Sequence, residues 1–243
     1  AKQFTSGRIK AERKAGGDPV TEADIALDKV LRETLVQAGD GWLSEETLDD
    51  PVRLQKQRVW IVDPLDGTRE FVEGIDEWCI SVALAVDGQV VAGGICNPAT
   101  DEIFLGSRQT PTTLNGKKVS VSQRADLQGA TVLASRSEVK RGEWDRFMDG
   151  PLSVIPKGSV AYKLARVAAG LEDATFTLVP KNEWDIAAGI ALVEATGGKV
   201  VDKQGRPFTF NNRKTLVTGM IACGPNMFDN LTTLLEINAQ KTT

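Results

Sequence analysis

WIVDPLDGTREF, residues 60–71, sets the problem that the rest of the chain must solve. The run RVWIV at 58–62 reads as a buried strand. Asp63 and Asp66 follow it, with Pro64 between them. A proline cannot donate to a strand ladder, so Pro64 is expected to stop the pairing and stiffen a turn. The two aspartates then converge on one side. Carboxylates gathered at a strand end repel one another unless a positive centre holds them. A hard divalent cation such as Mg²⁺ takes oxygen ligands of this kind. Gly67 and Thr68 come next, where a helix is expected to begin and backbone N–H groups could receive a phosphate. The same residues also suit a plain turn, so the stretch needs support from elsewhere.

Composition narrows the chemistry. A chain of 243 residues allows one large domain or two small ones. With 41% hydrophobic and 26% charged residues it reads as an ordinary globular protein. A net charge of -4 offers no basic field to nucleic acid or to an anionic membrane. A small anionic substrate would need a local positive centre. No run of ~18 apolar residues predicts a membrane span, and no leader is recognisable, so a cytoplasmic location is expected. Cys79, Cys96 and Cys223 form no CxxC and read as reduced, packed residues. The chain has no histidine. That removes Ser-His-Asp and Cys-His enzymes, histidine phosphatases and imidazole-ligated zinc. Acid–base and metal chemistry must rest on carboxylates.

Periodicity predicts a helix over 16–41, capped by Asp18, with Pro19 in its first turn and Gly39 at its end. Two strands joined at Asp87-Gly88 read as a hairpin. After about residue 125 strands and helices alternate. The expected class is α/β: an α+β part over 1–125 and an α/β part over 126–243. Other acids sit near element ends. Glu45 and Glu46 lie in WLSEE, where an extended segment turns only one of them inward. Asp24 lies early in the first helix, and Asp185 opens WDIAAGIALVEATGG at 184–198. Each alone also suits a cap or a helix-dipole partner.

Together these segments resemble a known family. DPLDGT (63–68), SEE (44–46), DPVTEAD (18–24) and WDIAAGIALVEATGG (184–198) are similar, in order and nearly end to end, to the signatures of the inositol monophosphatase superfamily. The resemblance implies a layered αβαβα sandwich and a Mg²⁺-dependent, lithium-sensitive phosphomonoesterase, commonly a homodimer. It implies that Glu45, Asp63 and the Leu65 carbonyl hold one metal, and that Asp63, Asp66 and Asp185 hold a second. Asp24 with Thr68 would orient the attacking water and help a third, weaker metal. The Gly67 and Thr68 amides would bind phosphate. The metals would activate water and stabilise the leaving alkoxide, so no histidine acid is required.

Substrate choice rests on fewer residues. DPLDGTREF and LSEE look closer to the 3′(2′),5′-bisphosphate nucleotidase branch, as does ASRSE at 134–138. Adenosine 3′,5′-bisphosphate is therefore the expected substrate, with Arg136 and Lys163 at its second phosphate and Glu183 shaping selectivity. Glu138 departs from that branch, which has a histidine there. Inositol 1-phosphate is the alternative, then fructose 1,6-bisphosphate or another sugar phosphate, then a non-catalytic regulator that kept the fold.

Overall fold

The computed structural model describes residues 6–8, 10–13 and 19–237. Strands β1 (Ala11–Arg13) and β2 (Pro19–Thr21) form a small antiparallel ribbon. A seven-stranded sheet then takes β3 (Gly41–Ser44), β4 (Arg58–Asp66), β5 (Cys79–Val86), β6 (Gln89–Asn97), β7 (Glu102–Ser107), β8 (Thr110–Leu114) and β9 (Lys117–Lys118) in chain order. Only β3 and β4 within it run parallel. The expected hairpin joins β5 to β6, with Asp87 and Gly88 both at positive φ.

A five-stranded sheet follows, from β10 (Ala130–Ser135), β11 (Leu152–Lys157), β12 (Ala174–Thr177), β14 (Lys199–Val201) and β16 (Met220–Cys223), in the order β11-β10-β12-β16-β14. The two-residue strands β13 (Lys181–Asn182) and β15 (Leu216–Val217) pair beside it. The helices are α1 (Glu22–Leu35), α2 (Thr68–Glu73), α3 (Arg136–Lys140), α4 (Asp145–Met148), α5 (Val160–Ala168), α6 (Glu183–Ala195) and α7 (Phe228–Leu234).

Alternation decides the layering. On β4 and β5, Val59, Ile61, Ala83 and Ala85 face one core, together with Leu164 of α5 and Ile186 and Ile190 of α6. Each large aliphatic buried there contributes about 1.5–3 kcal/mol. In helix α6, residues 186–193 are all buried. It lies between α5 and the large sheet, which is why its sequence is apolar all round. Gly189 permits that contact: a Cβ there would meet Leu164 Cβ at 2.3 Å. The far side of the five-stranded sheet is closed by Trp144, Phe147 and Phe176, with Phe228 and Leu231 of α7. The order is thus α1, large sheet, α5 with α6, small sheet, α4 with α7: the αβαβα sandwich that the resemblance implied. A groove of ≈ 730 Å³ on the outer face of the large sheet is apolar and holds none of the acids named above.

Three local readings change. The first helix begins at Glu22, not near residue 18, because Thr21 is its cap: Thr21 Oγ1 accepts from Ala23 N, and Asp24 accepts from Thr21 N. Pro19 belongs to β2, and Asp18 lies outside the described residues. The helix ends at Leu35, four residues before Gly39, where Val36 turns extended. Pro64 does not stop the pairing of β4, which continues to Asp66. Among the described residues no helix is long and apolar enough to cross a membrane.

Candidate active site

The irregularity in β4 builds the site. Asp63 pairs opposite Ser81 and Asp66 opposite Cys79, so three steps on β4 match two on β5. That is a bulge of one residue at Pro64-Leu65, where a missing proline N–H costs no ladder bond. In a regular strand, residues three apart point to opposite faces. The extra residue brings Asp63 and Asp66 back to the same side. Leu65 N donates to Asp63 Oδ1 at 3.0 Å and fixes the turn.

Glu45 follows β3, whose Ser44 pairs with Val62 in the parallel ladder, so it lies beside Asp63. Its N–H donates to Val62 O at 3.3 Å. Asp185 sits in the first turn of α6, where one oxygen accepts from Asn182 N at 2.9 Å. The fold brings ligand oxygens of Glu45, Asp63 and Asp185 within 4.8 Å of one another. Burial, then repulsion from Glu45, Asp66 and Asp185, pushes the Asp63 carboxyl well above its usual value. Burial and Asp66 push Asp185 up to about 8. Three crowded carboxyls cannot all ionise without a cation among them. An all-oxygen donor set fits a hard divalent ion such as Mg²⁺.

The other expected residues surround this cluster. Asp66 adds its field, but one of its oxygens accepts from Ser159 Oγ and Ala161 N, both at 2.6 Å, which ties β4 to the start of α5. Thr68 Oγ1 lies 3.2 Å from Asp24 Oδ1 and 3.0 Å from Leu65 O. Asp24 is buried, and its other oxygen accepts from Thr21 N and Thr21 Oγ1. Gly67 has φ 94 and could not be another residue cheaply: a Cβ would meet Glu77 O at 2.9 Å. Leu65, Asp66, Gly67, Thr68 and both neighbouring acids, Glu45 and Asp63, line one cleft of ≈ 430 Å³ with Asp185.

The expected substrate residues are placed differently. Arg136 is absent from the cleft lining; its Nε and Nη2 donate to Glu77 at 2.5 and 2.9 Å. Glu183 is fully buried and spends both oxygens on Asn211 and Asn212. Lys163 does line the cleft, yet its Nζ donates to Ser159 O and Lys157 O, and burial lowers it to about 8. These three were chosen from sequence position, and position does not report which partner a long side chain finds. Two residues that sequence reasoning left without a role are Glu138 and Lys181. Lys181 lines the cleft and its Nζ lies 3.0 Å from the buried Glu138. The only signal was that Glu138 departed from the expected motif.

Comparison with known proteins agrees with this geometry. The family model described as the inositol monophosphatase family matches residues 2–236. The chain belongs to the inositol monophosphatase family. Family members are metal-dependent phosphatases, typically using Mg²⁺, that act on small phosphorylated substrates. The chain is similar to an inositol-1-monophosphatase of Rhizobium meliloti, with 33% identity over 89% of this chain and 82% of that one. It is also similar to a protein of Xylella fastidiosa named Nus factor SuhB, 32% identical over 79% of this chain and 72% of that one. Among solved structures, an IMPase of Thermotoga maritima superposes with a TM-score of 0.82 at 27% identity, covering 95% of this chain and 89% of that one. The extragenic suppressor protein suhB of Bartonella henselae gives 0.80 at 29% identity, covering 97% and 90%. These names support the inositol phosphate alternative better than the nucleotidase reading drawn from ASRSE and REF.

Proposed function

We propose that this protein is a Mg²⁺-dependent phosphomonoesterase acting on inositol 1-phosphate. The observation that carries the reading is the meeting of Glu45, Asp63 and Asp185 within 4.8 Å, with Asp63 and Asp185 both shifted upward by burial and mutual repulsion. The names of the family relatives support the choice of inositol over a nucleotide. Glu45, Asp63 and the Leu65 carbonyl would hold one Mg²⁺; Asp63, Asp66 and Asp185 a second; Asp24 would help a third. When bound, the ions supply charge neutralisation and Lewis acidity at the phosphoryl oxygens. The chain does the rest. Thr68, held between Asp24 and Leu65 O, orients a water for attack. The Gly67 and Thr68 amides receive phosphate oxygens. Lithium inhibition, a homodimer, a cytoplasmic location and a division into parts 1–125 and 126–243 belong to the same reading.

The test is a side-by-side assay of inositol 1-phosphate, adenosine 3′,5′-bisphosphate and fructose 1,6-bisphosphate with Mg²⁺. Inositol 1-phosphate is expected to have the highest kcat/KM. Faster turnover of the bisphosphate nucleotide restores the nucleotidase reading, and equal rates on all three mean a broad enzyme. Asp66→Asn is expected to lose both Mg²⁺-dependent turnover and Mg²⁺ binding. A regulator that kept the fold without the activity would show no Mg²⁺-dependent turnover in the unaltered protein.

A further inference from the structure

Glu45 and Asp185 come from distant segments, and like charges push them apart. Something must hold their spacing before any cation arrives. The buried carboxylate of Glu183 lies one residue from Trp184 and two from Asp185. Its Oε2 accepts from Asn211 N at 2.7 Å, and its Oε1 from Asn212 N at 2.9 Å and Asn212 Nδ2 at 2.7 Å. Asn211 stands at φ 62, and from there its side chain reaches the other way. Its Oδ1 accepts from Arg53 Nη1 at 2.7 Å and its Nδ2 donates to Arg53 O at 3.0 Å. Arg53, only 2% exposed, also donates to Asn212 O and grips Asp49 with two bonds of 2.6 and 2.9 Å. Asp49 and Arg53 bound the far end of the loop that starts at Glu45. The chain Arg53–Asn211–Glu183 therefore spans from the Glu45 loop to the first turn of α6, across 158 residues of sequence between Arg53 and Asn211.

We propose that Arg53, Asn211 and Glu183 form a brace that sets the spacing of Glu45 and Asp185, and thereby the affinity of the acid cluster for divalent cation. They are positioning residues; none of them lines the cleft. The inference rests on the Mg²⁺ reading above. It also gives Glu183 a role other than touching substrate. Groups that orient metal ligands from behind cost about 10–100-fold in metal affinity when altered.

The experiment measures Mg²⁺ binding by calorimetry on the full chain, at a temperature where each variant is folded. Asn211→Gly is the cleanest variant. Glycine accepts the positive φ and keeps the N–H to Glu183, while both side-chain bonds to Arg53 are lost and only the Arg53 bond to Asn212 O remains. It is expected to weaken Mg²⁺ binding about tenfold, and Glu183→Gln about 10–100-fold. Raising Mg²⁺ is expected to restore the kcat of Asn211→Gly to the unaltered value. The control is Asp173→Asn, which weakens a half-buried tie to Ser122 and Thr131, outside the cleft and the acid cluster. It is expected to lose stability but keep Mg²⁺ affinity within about twofold. Folded Asn211→Gly with unaltered affinity overturns the brace, as does Asp173→Asn weakening Mg²⁺ equally. If Glu183→Gln fails to fold, Asn211→Gly still decides. An unaltered protein that turns over phosphate esters without any divalent ion overturns the metal reading itself. Unaltered Mg²⁺ binding in the variants sinks only the brace.

Discussion

Two buried carboxylate sites in this molecule behave oppositely. Glu138 is 1% exposed, yet it accepts from Lys181 Nζ, Thr177 Oγ1 and Trp144 Nε1 at 3.0, 2.7 and 3.2 Å. Burial works against its charge, but Lys181 and the two neutral donors outweigh it and hold the carboxyl below its ordinary value. Asp63 is nearly as buried at 2% exposed, and its surroundings are other acids. Both carboxyls are closed to solvent, yet burial and like-charged neighbours raise one while a cation and two neutral donors lower the other. A satisfied carboxylate is part of the structure, whereas a crowded, unbalanced set is built around a guest that the polypeptide does not supply.

The contrast breaks most visibly at Asp63. Asp63→Asn is expected to reduce Mg²⁺-dependent turnover on the order of 10³-fold. The same change relieves repulsion, so the metal-free variant is expected to melt about 2–4 °C higher, as about 1 kcal/mol of relief would give. A melting point that falls instead would mean the acids are already balanced. The mirror experiment is Glu138→Leu. It strands Lys181 in a half-buried position and is expected to cost about 3 kcal/mol of unfolding free energy, read from urea titration.

Acidity sharpens the same contrast. Asp63 and Asp185 have folded values above the ordinary 3.8, Asp185 at about 8. Between those limits the folded state holds more protons than the unfolded one. Metal-free stability should therefore fall as pH rises through that window, and saturating Mg²⁺ should flatten the fall. Mg²⁺ binding near neutral pH should also release protons, seen as buffer-dependent heats in calorimetry. Glu138 has the opposite sign: its contribution is present above the ordinary 4.5 and is lost as pH drops below it. The smallest effect belongs to Arg136. Its two-bond pair with Glu77 is half-exposed on the arginine side, and Arg136→Met is expected to leave KM for both inositol 1-phosphate and adenosine 3′,5′-bisphosphate unchanged. A raised KM for the nucleotide alone would bring Arg136 back to the substrate.

Much of this was legible along the chain. The motifs DPLDGT and WDIAAGIALVEATGG named the acids, and with no histidine and no clustered cysteines the metal chemistry fell to oxygen donors. What failed did so for local reasons. Pro64 was read as the end of a strand because the proline rule knows nothing of a bulge. Asp18 was read as the cap, whereas Thr21 with Asp24 makes the reciprocal box. Arg136 and Glu183 were assigned to substrate but lie outside the cleft lining with partners that only packing supplies, whereas Lys163 does line the cleft.

Residue types and their spacing determined by themselves that this protein would gather oxygen ligands around a hard cation, because the chain has no histidine and its three cysteines form no ligand set. Tertiary structure alone decided which carboxylates stay unbalanced and which are neutralised. Glu138 meets Lys181 across 43 residues, and Asp63 meets Asp185 only when the two sheets close on α5 and α6. Local sequence carries the charge of a side chain, but its energy depends on neighbours that folding brings from elsewhere.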